Sequence, residues 1–336
     1  MLPNFAYVRP TSLDEALKHV ADGTARVYAG GTDLLGCLHD GVFETPTVVS
    51  LSGIAALRGI EETPEGVTIG ALTPVAEVAA RPLVRERFTA LAEAAAQVAS
   101  PQLRNQGTLG GNVCQKPRCW YYRGDFACLR KGGDLCYAYA GENEFHAVIG
   151  GGPCHIVHPS DTAPALTALG ALAHVAGPKG SRTVPLDRFF VLPEKDVRRE
   201  TVLEPGEILT KLLLPKPAAG TRSTYRKVRS RASFDFALVG AAIVLQMQGD
   251  HIVKARVVFS GIAPIPWPAP AVEKALNGRR LDAATIAQAA EAAIQKLQPL
   301  EKNGYKVPLL RGLVQERLEN LASTHRGAGR RGDGRA

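Results

Sequence analysis

The chain has 336 residues, 45 % of them hydrophobic and 21 % charged, an ordinary globular composition with room for two or three domains and sizeable cores. No apolar run approaches the ~20 residues of a membrane span, and the N-terminus MLPNFAYVRPTSLDEAL lacks the basic start and apolar core of a signal peptide, so disulfides are not the expected use of the six cysteines. The net charge is +8, of which the segment from Arg326, RGAGRRGDGRA with four Arg and one Asp, supplies +3; it reads as a flexible basic tail rather than a nucleic-acid arm, because the body mixes both signs and has no basic-aromatic stripe.

In chain order, Ser12-Leu13-Asp14-Glu15 predicts a capped helix through about Ala21. A strand is expected at Arg26-Val27-Tyr28-Ala29 and another at Thr47 to Leu51. Gly66 to Ala71 is strand-like. An alanine-rich helical region is expected from Val75 to Ala99, broken at Pro82 and closed by Pro101. Strand and helix signals resume at His155-Ile156-Val157 and at Ala163 to Leu172, and this unit runs to a proline-rich junction near Pro217. A third unit follows, with apolar Phe236 to Gln246 and a strand from Ile252 to Ser260. Helices are expected at Pro270 to Asn277, Asp282 to Leu297 and Pro308 to Ala322.

Two glycine-rich segments carry chemistry. Gly30-Gly31-Thr32-Asp33 directly follows a strand, where glycines let backbone N–H groups cradle a phosphate; a plain tight turn is the competing reading. It is not a Walker loop, since no Gly-Lys-Ser/Thr follows. Nor is it a Rossmann fingerprint, since the next strand ends in Leu51-Ser52-Gly53 without a ribose-binding acid. Gly107-Thr108-Leu109-Gly110-Gly111-Asn112 is the second such segment, and two of them can clamp a pyrophosphate, with a plain double turn as the competing reading. His158-Pro159-Ser160-Asp161 places a carboxylate in a turn, or caps the helix after it.

Cys119, Cys128, Cys136 and Cys154 are separated by 8, 7 and 17 residues. Four thiolates suit an iron–sulfur cluster or a structural zinc, but the close C-x-x-C pairs typical of zinc are missing. Lys116, Arg118, Arg123, Arg130 and Lys131 outnumber the nearby acids and would offset the charge of a cluster. Trp120, Tyr121 and Tyr122 could shield it from water. A cluster, a zinc site and unligated cysteines all stay open on spacing alone. Cys37 and Cys114 read as small buried hydrophobes, with Cys114, close to the loop, as a fifth candidate ligand.

Together, Ala29 to Leu34, Ala99 to Asn112 and His158 to Asp161 resemble the FAD-binding subunit of the molybdenum hydroxylases, the xanthine dehydrogenase and carbon monoxide dehydrogenase group. The resemblance runs from Phe5 to about Leu321. It implies an α+β chain with an FAD-binding fold of the vanillyl-alcohol-oxidase type. Its subdomains would be 1–55 and 56–220, followed by an α+β domain at 221–325 and the tail at 326–336. It makes Tyr28, Ala29, Gly30, Gly31, Thr32, Asp33 and Leu34, with Thr108, Leu109, Gly110, Gly111 and Asn112, the cofactor-binding loops, Gly30 to Leu34 and Thr108 to Asn112 wrapping the pyrophosphate. Asp161 resembles the acid that holds the adenosine side of FAD. Leu209 and Lys227 resemble further contacts.

The cysteine segment, 114–154, is similar to an insertion in the flavin subunits of 4-hydroxybenzoyl-CoA reductase and bacterial aldehyde oxidoreductases that carries a [4Fe–4S] cluster. Cys119, Cys128, Cys136 and Cys154 match its ligands, and the short Cys119-to-Cys128 spacing is closer to the aldehyde oxidoreductase version. The resemblance implies electron transfer without catalytic residues in this chain. Substrate would be hydroxylated, most simply an aldehyde, at a molybdopterin-binding large subunit. Electrons would pass through a small subunit with two [2Fe–2S] clusters to FAD and on to an acceptor. A stand-alone flavin oxidase, a zinc-stabilised assembly protein, and the flavin subunit of a xanthine dehydrogenase or 4-hydroxybenzoyl-CoA reductase type complex are the alternatives. The expected location is cytoplasmic, or periplasmic if a signal-bearing partner carries the chain out.

Overall fold

The computed structural model describes residues 1–329. Three sheets organise the chain, and they fall within 1–55, 56–220 and 221–325. The first is parallel, with β1 (Ala6–Val8), β2 (Arg26–Tyr28) and β3 (Thr47–Ser50) in the order β1-β3-β2. Helix α1 (Leu13–Val20) starts where its cap predicts: Glu15 N–H donates to Ser12 Oγ at 3.2 Å. The reciprocal bond reaches one residue further back than a capping box does, from Thr11 N–H to Glu15 Oε2 at 2.9 Å. The short helix α2 (Leu34–His39) follows the first glycine loop.

The second sheet is antiparallel. Strands β4 (Ile60–Thr63), β5 (Gly66–Gly70), β6 (Leu172–Gly177), β7 (Gly180–Pro185) and β8 (Ile208–Pro215) lie in the order β4-β5-β8-β6-β7. The alanine-rich region forms α3 (Val75–Ala80), α4 (Pro82–Arg87) and α5 (Thr89–Ala96), with a second break at buried Phe88. Pro101 opens a helix rather than closing one. It is the first residue of α6 (Pro101–Gln106), where its missing N–H costs nothing, and Ser100 Oγ caps the turn by accepting from Leu103 N–H. Likewise the second glycine segment is not a loop throughout. Thr108 caps α7 (Leu109–Val113). Helices α8 (Trp120–Arg123) and α9 (Thr162–Ala168) complete this part. His155-Ile156-Val157 forms no strand; its extended backbone is tied to Ala147, and that of His158 to Ala263, instead of to a sheet edge.

The third sheet is antiparallel, with β9 (Thr221–Val228), β10 (Val239–Gln248), β11 (His251–Ser260) and β12 (Trp267–Pro268) in the order β12-β11-β10-β9. Helices α10 (Pro270–Leu276), α11 (Ala283–Ala292) and α12 (Lys306–Gly329) cover it, burying Ile243, Val257, Val272, Leu310 and Leu318. The expected tail overlaps the end of α12, and its remainder, 330–336, lies outside the described residues. Among the described residues no helix is long and apolar enough to cross a membrane.

Small side chains join the second and third parts. Ala90 and Ala94 of α5 and Ala165 and Ala168 of α9 meet Tyr225, Ala242 and Val258 of the third sheet. Glu93 Oε2 fixes the contact by accepting from Tyr225 N–H at 2.7 Å and Thr224 Oγ1 at 2.9 Å. The cysteine segment is held from both sides. Tyr122 and Cys128 pack on Cys37 and Val42 of the first part. Lys306 Nζ, on α12, donates to the carbonyls of Phe145, His146 and Gly261.

Candidate functional site

The two glycine segments touch backbone to backbone. Gln106 Nε2 donates to Gly30 C=O at 3.1 Å, and a Cβ on Gly30 would lie 2.1 Å from Gln106 O. Gly31 has φ +73°, and a Cβ there would lie 2.4 Å from the Tyr28 ring, so the turn needs glycine at both positions. Beyond it the chain enters α2, and the backbone N–H groups of Thr32, Asp33 and Leu34 have no hydrogen-bond partner among the described residues. They are the open amides of a helix start.

The second segment works differently. Leu109 N–H donates to Thr73 O and Gly110 N–H to Ala71 O, both at 2.9 Å, while Gly111 N–H is taken by Thr108 Oγ1 at 3.2 Å and Asn112 N–H by Thr108 O at 2.8 Å. The amides of Leu109 to Asn112 are therefore spent, and only that of Thr108 is without a partner among the described residues. What the segment offers is closeness: a Cβ on Gly111 would meet only Thr108 Oγ1 at 3.0 Å and Ala29 Cβ at 3.9 Å.

An elongated groove passes between the segments. Two cavities of about 1000 and 1040 Å³ share Thr32, Asp33, Thr108, Gly111 and Gln115 where they meet. One end is walled by Arg26, Phe43, Leu51, Leu72, Ile208 and Leu209. The other is walled by Ala99, Leu103, Asn112, Asp161, Phe234 and Phe236. Ala99 and Phe234 have φ of +41° and +53°, a region unfavourable to L side chains, and Phe234 N–H donates to Ala99 O at 3.0 Å. The two strained residues thus hold each other at the groove wall.

Asp161 sits at the cap position of α9 but does not cap it. Ser160 Oγ does, accepting from Ala163 N–H at 3.0 Å. The Asp161 carboxylate accepts instead from Tyr225 OH at 2.8 Å and Lys227 Nζ at 2.6 Å, all three groups buried. Burial pushes its carboxyl up, while Lys227 and the Tyr225 hydroxyl stabilise the charged form. Asn112 Oδ1 accepts from Ser160 Oγ and Thr162 Oγ1, both at 2.6 Å, which turns the turn's hydroxyls toward α7.

Most of the expected cofactor residues line the groove: Ala29 to Leu34, Thr108, Gly110, Gly111, Asn112, Asp161 and Leu209. Tyr28, Leu109 and Lys227 do not. Tyr28 supports Gly31 from behind, Leu109 is in the second core, and Lys227 sits under Asp161. Gln115, Lys116, Phe43, Phe234 and Phe236 also line it and carried no motif; Gln115 and Lys116 could have been found as the residues that leave α7.

Cys119, Cys128, Cys136 and Cys154 line a separate small cavity with Tyr121, Tyr122, Arg130 and Ile156. Cys37 and Cys114 line the groove end at Leu209 instead. All six are free thiols. Cys136 and Cys154 are coupled neighbours, the Cys136 thiol held down by Cys154 and the Cys154 thiol pushed up by Cys136 and by burial. His146 Nε2 lies 3.2 Å from Cys119 Sγ. Among the described residues, no group of three or more His, Cys, Asp or Glu side chains is drawn together as a single metal ion requires. A buried guanidinium, Arg130, lines the cavity with the thiols, and its Nε and Nη1 are unpartnered among the described residues.

The cysteine segment and the groove are joined. Asp33, at the start of α2, accepts from Lys116 N–H at 2.7 Å and pairs with Arg123 Nη2 at 2.7 Å and with Arg118.

Residues 3–217 match the FAD binding domain in molybdopterin dehydrogenase, and residues 223–321 the CO dehydrogenase flavoprotein C-terminal domain. The chain is 36 % identical over 316 residues to the aldehyde oxidoreductase FAD-binding subunit PaoB of Escherichia coli K12, covering 91 % of this chain and 94 % of that one. It is 29 % identical over 302 residues to the carbon monoxide dehydrogenase medium chain of Hydrogenophaga pseudoflava, covering 89 % of each. Among solved structures, a carbon monoxide dehydrogenase from Hydrogenophaga pseudoflava superimposes with a TM-score of 0.76 at 29 % identity, over 97 % of this chain and 99 % of that one. Quinoline 2-oxidoreductase from Pseudomonas putida 86 gives 0.76 at 26 %, over 97 % and 99 %.

Proposed function

We propose a function from one premise: this chain belongs to the FAD-binding medium subunits of the molybdenum hydroxylases. It is the FAD-binding part of an oxidoreductase. In our reading it also holds a [4Fe–4S] cluster on Cys119, Cys128, Cys136 and Cys154 and serves a complex that oxidises aldehydes. When bound, FAD and the cluster supply electron transfer between a molybdenum-bearing partner and an external acceptor.

The observation that carries the FAD reading is the row of open amides at Thr32, Asp33 and Leu34, placed where the two ends of the groove meet. A pyrophosphate there would gain donors from the first glycine segment and close approach from Gly111. Leu209 and Ile208 offer an apolar wall at one end, and Asp161 a buried carboxylate at the other. The Lys227 and Tyr225 bonds orient that carboxylate and offset part of the cost of burying its charge.

Three features support the cluster. The four thiols line one cavity, the other two cysteines lie elsewhere, and Arg130 lines the same cavity with two N–H groups unpartnered among the described residues.

The partners we carry over are a molybdopterin-binding large subunit and a small subunit with two [2Fe–2S] clusters, since relatives bear the name medium chain. Phe126, Leu135, Tyr139 and Phe145 stand exposed on the cysteine segment and supply apolar surface for such contacts. Aldehyde as substrate rests on the 36 % relative.

Co-expression with large and small subunits, followed by absorption spectroscopy, iron and FAD analysis and aldehyde turnover, tests the reading. Flavin bands, a broad iron–sulfur shoulder and turnover that needs the large subunit are expected. Flavin without iron would remove the cluster, and substrate turnover by the isolated chain would overturn the subunit role.

A further inference from the structure

Five basic side chains surround the cysteine segment, and only one faces the thiols with donors to spare. Arg118 and Arg123 pair with Asp33. Lys131 Nζ donates to Gly124 C=O. Lys116 pairs with Glu200. Arg130 also pairs with Glu200 through Nη2, yet its side chain is 1 % exposed and its Nε and Nη1 bond to nothing. Arg118 Nε is unpartnered too, but Arg118 lines the groove and not the thiol cavity.

A buried guanidinium with two unused N–H groups is costly unless an acceptor stands before it. Glu200 does not cancel the charge, because it serves Lys116 and Arg130 together, leaving the triad with one net positive charge. The Tyr122 ring centroid lies 5.5 Å from its Cζ, and the cavity that Arg130 lines is otherwise walled by apolar and aromatic side chains and the four cysteines. The missing counterpart is therefore an anion on the cysteine side, and sulfur carrying negative charge is the acceptor available there.

We propose that Arg130 sets the reduction potential of the cluster held by Cys119, Cys128, Cys136 and Cys154, its Nε–H and Nη1–H donating to cluster sulfur, with Glu200 and Lys116 fixing how much of its charge the cluster feels. The inference rests on the cluster reading above. Arg130 is a positioning and tuning residue, not a ligand. Hydrogen bonds and positive charge near the sulfurs stabilise the reduced, more negative state.

The test is an electron paramagnetic resonance titration of the cluster in the co-expressed complex, with iron content measured on each sample. Arg130→Met is expected to disfavour reduction at least tenfold, about 59 mV toward more negative potential for one electron. Glu200→Gln is expected to move the potential the opposite way, because it frees the charge of Arg130. A merely structural role would not produce opposite shifts. Should Arg130→Met lose iron, the Glu200→Gln shift decides alone. An unchanged potential in both, shifts of the same sign, or iron lost from both variants would overturn the inference while leaving the cluster standing in the wild-type protein. A wild-type complex without iron would instead overturn the cluster reading, and this inference with it.

Discussion

Asp33, the last residue of the first glycine segment, and Arg123, on the cysteine segment ninety residues later, are joined by a 2.7 Å ion pair with side chains 18 % and 12 % exposed. The pair fastens the thiol-bearing segment to the groove. Arg118 and the Lys116 amide converge on the same carboxylate, so one side chain organises both sites.

Asp33→Asn is expected to leave Arg118 without its counter-charge and Arg123 with only the longer contact to Asp40 at 3.9 Å. The loss should be roughly 2–4 kcal/mol for a pair this far out of water. Because the link is shared, FAD and iron content of the purified protein should fall together. A variant that lost flavin and kept all its iron would show that the pair does not position the cysteine segment.

The neighbouring glycines 110 and 111 are expected to separate fold from binding. A side chain at Gly110 would meet Ala71 Cβ at 2.7 Å inside the second core, whereas one at Gly111 opens on the groove. Gly110→Val should lower the melting temperature, and Gly111→Val should fold and lack FAD. Equal flavin occupancy in Gly111→Val and wild type would move the pyrophosphate elsewhere. Gly31 is a poorer test than its motif implies. Its positive φ and the Tyr28 ring behind it mean that a valine there would distort the loop itself.

What the sequence made legible was local. Ser12 and Glu15 mark a helix start within four residues, and each glycine segment sits beside its own strand or helix. The roles of Pro101 and Asp161 were harder to read because their deciding neighbours are distant or ambiguous. Pro is compatible with the end of one helix and the first turn of the next, and Ser100 decides between them. Asp161 reads as a cap from its neighbours, but its partners Tyr225 and Lys227 are 64 and 66 residues away. The wall formed by Ala99 and Phe234 has no sequence signature, since strained backbone at these residue types is set by tertiary contacts.

His158 gives an acid-side test of stability. It is fully buried against Phe190, and burial lowers its pKa to about 4. The unfolded chain has an ordinary histidine near 6.5, so between those values it binds the extra proton. Folding stability is therefore complete above about pH 6.5 and is lost as pH falls toward 4. At pH 5 this single group accounts for about 2 kcal/mol. Urea midpoints at pH 7 and pH 5 should differ by at least that much, since burial lowers His146 to about 4 as well, and His158→Phe should remove the His158 share. An unchanged pH dependence in the variant would assign the loss to other groups.

Asp161 and Lys227 allow stability and cofactor binding to be separated most cleanly. Lys227 lies wholly under the protein surface, 2.6 Å from the Asp161 carboxylate, and only Asp161 reaches the groove. Lys227→Met leaves a buried carboxylate with only the Tyr225 hydroxyl as donor, and a loss of about 3–5 kcal/mol is expected. Asp161→Asn leaves an unpaired buried ammonium, with a comparable loss. The double variant Asp161→Leu with Lys227→Met removes both charges, so it should regain most of the stability of either single variant. It should not regain FAD, because the carboxylate at the groove is gone. Guanidinium unfolding curves and FAD content on the four proteins give both readings at once. A double variant that binds FAD as the wild type does would reduce Asp161 to a fold-holding residue and take it out of the cofactor site.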